Sequence, residues 1–197
     1  MANKNKKVVF PPSQKIKLHL GCWKRNIPGF INVDYCNLPH IHYKRGVDDL
    51  SIFPNDCAEL IYASHVFEYF DREKGEGVIK EWYRVLAPGG ILRIAVPDFE
   101  KLEIVYKKYK DLSKILGPLY GKMKINTKNG DKIIYHKTVY DFTSLKNLLI
   151  SVGFNKVKKY DWKKTIHKDY DDHSQAYIPH MDKKHGILIS LNVEANK

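Results

Sequence analysis

Arginine is scarce in this chain of 197 residues: only five of the 34 basic side chains are Arg (Arg25, Arg45, Arg72, Arg84, Arg93). The bidentate guanidinium fork that reads phosphates and base edges is therefore thinly supplied. Cysteine is scarcer still. Cys22, Cys36 and Cys57 make an odd set without C-x-x-C spacing, which excludes a fully paired disulfide framework and fits a reducing compartment. No apolar run exceeds strand length and the Asn/Lys-rich start has no apolar core segment. That pattern excludes a helical membrane span and a secretory leader, so the chain is expected to be cytoplasmic. The G-x-G-x-x-G cradle for a dinucleotide diphosphate is also missing, since only Gly21 and Gly29 stand where it would lie. Histidine is plentiful at nine, yet His40-x-His42 and the scattered His167, His173, His180 and His185 lack the tight spacing of a zinc site. No metal is expected.

Charge is present in excess and in one place. The formal net charge is +12, and residues 101–168 account for all of it, with 17 Lys, no Arg and five acids. A basic face attracts anions of many kinds. With lysine in place of arginine, a solvated face is favoured over a nucleic-acid surface.

The length suits one domain with a real core. Residues 1–14, with Lys4, Lys6, Lys7 and Pro11-Pro12, read as a flexible basic tail, and residues 15–197 as a single domain with a cap or insertion at about 98–142. Ile16, Leu18 and Leu20 alternate as a strand; a second strand covers Phe30 to Asp34, a short third Lys44 to Val47, and a fourth Ala58 to Ala63. Val78, Ile79, Trp82, Val85 and Leu86 keep helical spacing up to Ala87-Pro88-Gly89-Gly90, a tight turn ahead of the strand Ile91 to Val96. A helix follows Pro97-Asp98. Another, capped by Thr143 and closed by Gly153, precedes the strand Phe154 to Tyr160, and a last strand covers Ile187 to Val193. This order predicts an α/β sandwich with a mainly parallel sheet and an antiparallel last strand.

The segment Leu18-His19-Leu20-Gly21-Cys22-Trp23, then Phe30-Ile31-Asn32-Val33-Asp34, joins a buried strand, a glycine turn and a second strand ending in a carboxylate. A glycine lets the backbone approach a ligand where a Cβ would collide, and a carboxylate ending the next strand accepts the two hydroxyls of a ribose. Trp23 occupies a position where such loops usually carry another glycine. Either its ring crowds the ligand in a strained loop, or the loop reshapes and the ring packs beside the ligand; an aromatic face also suits a sulfonium.

Three further segments carry a resemblance: Ile61-Tyr62-Ala63-Ser64-His65-Val66-Phe67-Glu68-Tyr69, Glu81-Trp82-Tyr83-Arg84-Val85-Leu86-Ala87-Pro88-Gly89-Gly90-Ile91-Leu92, and the late run Asp171 to Gly186. With them the chain resembles class I S-adenosylmethionine-dependent methyltransferases, in particular a small bacterial branch, over roughly residues 16–195. The resemblance implies a Rossmann-like three-layer sandwich with a seven-stranded, mainly parallel sheet, and S-adenosyl-L-methionine as cofactor. It places Gly21, Cys22 and Trp23 against the methionyl part, Asp34 on the ribose, Asp49 and Leu50 along the adenine, and Ala63, Ser64 and His65 between methionine and substrate.

In-line methyl transfer depends mainly on alignment. A hydroxyl acceptor also needs a base, for which His65 is the first candidate and His173 the second, because imidazole titrates near neutral pH. His136 and Asp98 are further candidate substrate contacts. The Asp171-to-Tyr177 run is either substrate-facing or a solvated loop. No Asn-Pro-Pro-Tyr motif for amino-group methylation occurs, so a small molecule or sugar precursor is the expected acceptor. Two other readings stay open: a catalytically inactive binding or scaffold protein, and a basic RNA-binding protein.

Overall fold

A computed structural model of the chain describes residues 15–127 and 130–197. The expectation for residues 1–14 lies outside them. Its strands are β1 (Ile16–Leu20), β2 (Ile31–Asp34), β3 (Tyr43–Lys44), β4 (Ala58–Ser64), β5 (Leu86–Pro97), β6 (Lys122–Thr127), β7 (Gly130–Tyr135), β8 (Asn155–Lys159), β9 (Tyr177–Ile178), β10 (Ile187–Leu188) and β11 (Ser190–Asn196). The helices are α1 (Arg72–Val85), α2 (Phe99–Tyr109), α3 (Ser113–Tyr120) and α4 (Phe142–Val152).

Seven strands form one sheet in the order β3-β2-β1-β4-β5-β11-β8. Pairings among β1 to β5 are parallel, whereas β11 runs antiparallel to both β5 and β8. The strand order reverses between β1 and β4, which opens a crevice outside their carboxyl ends; in such sheets that is where ligands bind. β1 and β4 are buried along nearly their whole length, as strands covered on both faces are. Trp82, Ile79 and Val85 of α1 and Leu145 and Leu149 of α4 bury one face of the sheet. Leu102 and Val105 of α2 pack with Ile115 of α3 and Ile189 in a separate cluster, and Ile27, Phe30, Leu60 and Tyr62 in another.

Local chemistry explains three departures from the sequence expectation. α4 is capped by Asp141, which exchanges bonds with Ser144 in a capping box, instead of by Thr143. The last strand divides at Ile189, whose N–H donates to the Ala176 carbonyl and whose carbonyl accepts from Asp98 N. β10 then pairs with β9, and only β11 enters the main sheet. β5 begins at Leu86, so the Pro88–Gly90 bend, with Gly89 at φ 77°, lies inside the assigned strand rather than before it.

β6 and β7 form a hairpin outside the sheet. Among the described residues it is tied to the rest where Asn37 N donates to Asn126 O (3.1 Å) and Tyr69 Oη to Met123 Sδ (3.7 Å), and the segment that follows it where Lys137 N donates to Glu68 O (2.8 Å). The hairpin thus roofs the crevice. Among the described residues no helix is long and apolar enough to cross a membrane.

Candidate functional site

The turn after β1 is fixed by its backbone. Gly21 has φ 66°, and a Cβ there would lie 2.5 Å from Val66 Cγ2, so side-chain chemistry is excluded from the floor at this point. Trp23 is also left-handed, at φ 43°. For a non-glycine residue this costs on the order of 1–2 kcal/mol. Two bonds hold it: Trp23 N donates to Asp34 Oδ2 (2.7 Å), and His40 Nε2 meets the Trp23 carbonyl (2.7 Å). The Trp23 ring stands at the cavity wall, with Lys24 Nζ 4.7 Å from its centroid.

Asp34, at the end of β2, is 7% exposed. Its second oxygen accepts from Cys36 N (2.8 Å). Each carboxylate oxygen offers about two acceptor sites, so both keep capacity for a ligand after the two loop amides are satisfied. Burial first, and Asp34 second, push the Cys36 thiol up to about 12 and raise Cys22 strongly as well. Both are neutral walls near physiological pH.

The cavity above these strand ends holds about 1400 Å³, and Gly21, Cys22, Trp23, Asp34, Ser64, His65 and His173 all reach it. Three expected contacts do not. Ala63 is fully buried within the sheet, Leu50 belongs to the main core with its N–H donating to Glu81, and Asp49 points away. The Asp49 carboxylate is taken by Ser51 (2.6 Å) and Arg45 (3.2 Å), and the Ser51 bond chiefly lowers its proton affinity. Gly46, Val47 and Asp48 line the wall in their place. Asp98 is likewise off the cavity: it is buried as the N-cap of α2.

Below His65 lies a hydrogen-bond chain with a readable direction. Asn192 Nδ2 donates to the Ser174 carbonyl, which leaves Asn192 Oδ1 to accept from Ser190 Oγ (3.0 Å). Ser190 Oγ in turn receives His65 Nε2 (3.0 Å), so Nε2 carries the hydrogen and Nδ1 turns to Glu68 Oε1, 3.3 Å away. His136 approaches the same Glu68 oxygen with Nε2 (3.7 Å) while its Nδ1 donates to the Pro118 carbonyl (2.9 Å). Glu68 is fully buried behind these two imidazoles. Sequence reading overlooked it, although a lone carboxylate within Val66-Phe67-Glu68-Tyr69 was the available signal.

His173 differs from His65. Its ring stands at the cavity rim, 5.3 Å from His65 in edge contact, and among the described residues no hydrogen bond occupies its nitrogens. Desolvation against the cavity wall, then the neighbouring His65, hold its imidazole below the ordinary value. It is a neutral acceptor at pH 7. The run around it is not a solvated loop: Asp172, Ser174 and Gln175 are buried. Asp172 accepts from Tyr62 Oη (2.5 Å), Ser174 N (2.8 Å) and Ser64 Oγ (3.3 Å). Burial pushes this carboxyl up, but those bonds outweigh it and keep Asp172 ionised. Beneath, His19, Tyr62 and His167 stack at 5.2 and 3.9 Å between centroids.

Comparison with known proteins agrees with this fold. Residues 34–94 match the family model described as a methyltransferase domain. No curated protein matches the sequence significantly. An Archaeoglobus fulgidus S-adenosylmethionine-dependent methyltransferase superposes with a TM-score of 0.55 at 16% identity, covering 94% of this chain and 87% of that one. A Mesorhizobium loti S-adenosylmethionine-dependent methyltransferase gives 0.50 at 14% identity, covering 93% and 90%. The Burkholderia thailandensis 1,6-didemethyltoxoflavin-N1-methyltransferase, solved with its substrate and S-adenosylhomocysteine, gives 0.53 at 12% identity over 92% and 70%. Residues 34–94 match a methyltransferase-domain family model, and the chain as a whole has the fold of these S-adenosylmethionine-dependent methyltransferases.

Proposed function

We propose that this protein transfers a methyl group from S-adenosyl-L-methionine to a small-molecule acceptor, in the size range of a sugar precursor. Asp34 carries the reading: a buried carboxylate at a strand end, fixed by two loop amides, with acceptor capacity left over beside a glycine that no Cβ can replace. The cofactor supplies a methyl carbon made electrophilic by its sulfonium. In this reading Asp34 accepts the ribose hydroxyls, the Gly21–Trp23 backbone borders the methionyl part, and Val47 and Asp48 take the adenine-side place first given to Asp49 and Leu50.

On the acceptor side the two candidate bases divide the work. His65 Nε2 donates to Ser190 and its Nδ1 faces the buried Glu68 carboxylate, so His65 positions, whereas among the described residues no hydrogen bond holds the nitrogens of His173, which takes the proton of a hydroxyl acceptor. Ser64 orients Asp172 and the rim. The stretch 98–142 serves as the cap that closes the acceptor lobe and excludes water. The setting is cytoplasmic, in keeping with three free cysteines.

Titration calorimetry with S-adenosylhomocysteine tests the reading. Binding is expected, and Asp34→Ala should weaken it by about 2–4 kcal/mol, roughly 30-fold to 1000-fold, from the loss of charged hydrogen bonds. Absence of heat at millimolar ligand overturns it.

A further inference from the structure

The cavity is larger than one ligand needs. At about 1400 Å³ it exceeds the roughly 300–1,000 Å³ of an ordinary small-molecule site, and its lining differs in chemistry between the strand ends and the β6–β7 hairpin. The lobe over the strand ends carries Asp34 and Asp48. The lobe under the β6–β7 hairpin does not. Pairing across that hairpin sets Met123 opposite Ile134 and Ile125 opposite Lys132. Opposed residues of an antiparallel ladder share a face, so these four side chains, all of which reach the cavity, stand together on one face of the roof. Tyr69 and Phe70 stand across from it.

Lys132 on the roof and Lys74 in the first turn of α1 border this apolar lobe without an ion-pair partner among the described residues, as does Lys122 on the opposite face of the hairpin. The one acid that the described part of the hairpin adds to the lining, Asp131, is already held by Lys124 (2.6 Å) and Asn126 (3.0 Å). The lobe therefore offers apolar contact and uncompensated positive charge together. A neutral sugar would leave both unused. A cationic amine would meet repulsion.

We infer that the methyl acceptor is an anion with an aromatic or aliphatic body, its body under Met123, Ile125 and Ile134 and its acidic group between Lys74 and Lys132. This rests on the methyltransferase reading and narrows its acceptor. Methionine and isoleucine give a repackable apolar surface that sets fit more than polarity, while the two lysines act as point charges on flexible stems and select the sign of the ligand's charge.

The test uses three probes of one shape on the full chain saturated with S-adenosylhomocysteine: 6-hydroxy-2-naphthoate, its neutral amide, and the corresponding aminomethyl cation. The naphthoate should bind about tenfold tighter than the amide, and the cation weakest. The double substitution Lys74→Gln and Lys132→Gln should reduce the naphthoate preference to under about threefold and leave S-adenosylhomocysteine affinity unchanged. Ile134→Ser should weaken all three probes alike. Equal binding of the three, a preference for the cation, or a naphthoate preference that survives the double substitution overturns the inference. Failure of every probe to bind at 5 mM (about the solubility limit) while S-adenosylhomocysteine binds overturns it alone. Failure of S-adenosylhomocysteine itself overturns the underlying reading and this inference with it.

Discussion

The floor of the cavity is made of strand ends and its roof of a hairpin. Asp34, Ser64 and the Gly21 turn extend from strands buried on both faces, so their positions are set by the core. Met123, Ile125, Lys132 and Ile134 sit on a two-stranded ribbon on which Lys122, Lys124, Lys132, Ile133 and Tyr135 are all exposed. A two-stranded ribbon has little stability of its own. The contrast teaches where each half of the function resides. Cofactor geometry is tied to the fold and changes only with it, whereas acceptor recognition rests on side chains that can change without disturbing the sheet.

Substitutions on the two sides should break that contrast or sharpen it. The largest effect is expected under the floor at Trp82, fully buried with Nε1 donating to Val47 O (2.8 Å). Trp82→Ala should cost about 3–5 kcal/mol in urea unfolding, enough to unfold a marginal domain. A loss below 1 kcal/mol would mean that the floor is not held by this core.

Acid should act next. Burial holds His19 at about 4 and lowers its stacked neighbour His167 too, with Asp172 opposing both shifts. Unfolded imidazoles bind protons from about pH 6.5 downward while the folded ones do not. Stability is therefore full above pH 6.5 and falls as pH drops toward 4, on the order of 3 kcal/mol for His19. His19→Gln should flatten the urea midpoint between pH 7 and pH 4.5. An unchanged slope removes His19 as the cause.

Gly21→Ala comes third. The added carbon would lie 2.5 Å from Val66 at a positive φ, for an expected loss of about 1–3 kcal/mol in thermal unfolding with weakened cofactor binding. Smallest should be Tyr135→Ser on the outer face of the roof, where Tyr135 is 51% exposed; a stability change within about 0.5 kcal/mol is expected. A loss comparable to that of Gly21→Ala would show that the roof belongs to the same cooperative unit as the floor.

How far the sequence could be read follows the same division. The alternation of Ile16, Leu18 and Leu20, the helical spacing through Val85 and the buried run Ala58 to Ala63 were legible because local periodicity reports burial directly. The placement of Gly21 and Asp34 on one cavity was legible for the same reason. Asp49 and Leu50 were misplaced because the turn after Gly46 directs alternate residues to opposite sides: Asp48 faces the cavity while Ser51 and Arg45 draw Asp49 away. Sequence spacing carries no record of that choice. The commitment of His65 to Ser190 and Glu68 joins residues far apart in the chain, and β11 must pair with β5 before it exists. The roof was the least legible part. The stretch 98–142 was read only as a cap or insertion, and nothing local said that it holds two strands reaching over the crevice.

Amide resonances followed during titration with S-adenosylhomocysteine test the central claim, that the cofactor lies on the floor and leaves the roof lobe open. The largest shifts are predicted at Gly21 to Trp23 and at Asp34 to Cys36, with Met123, Ile125 and Ile134 responding only when 6-hydroxy-2-naphthoate is then added. Largest shifts at the roof residues on the first addition, or none at Asp34 to Cys36, would contradict it.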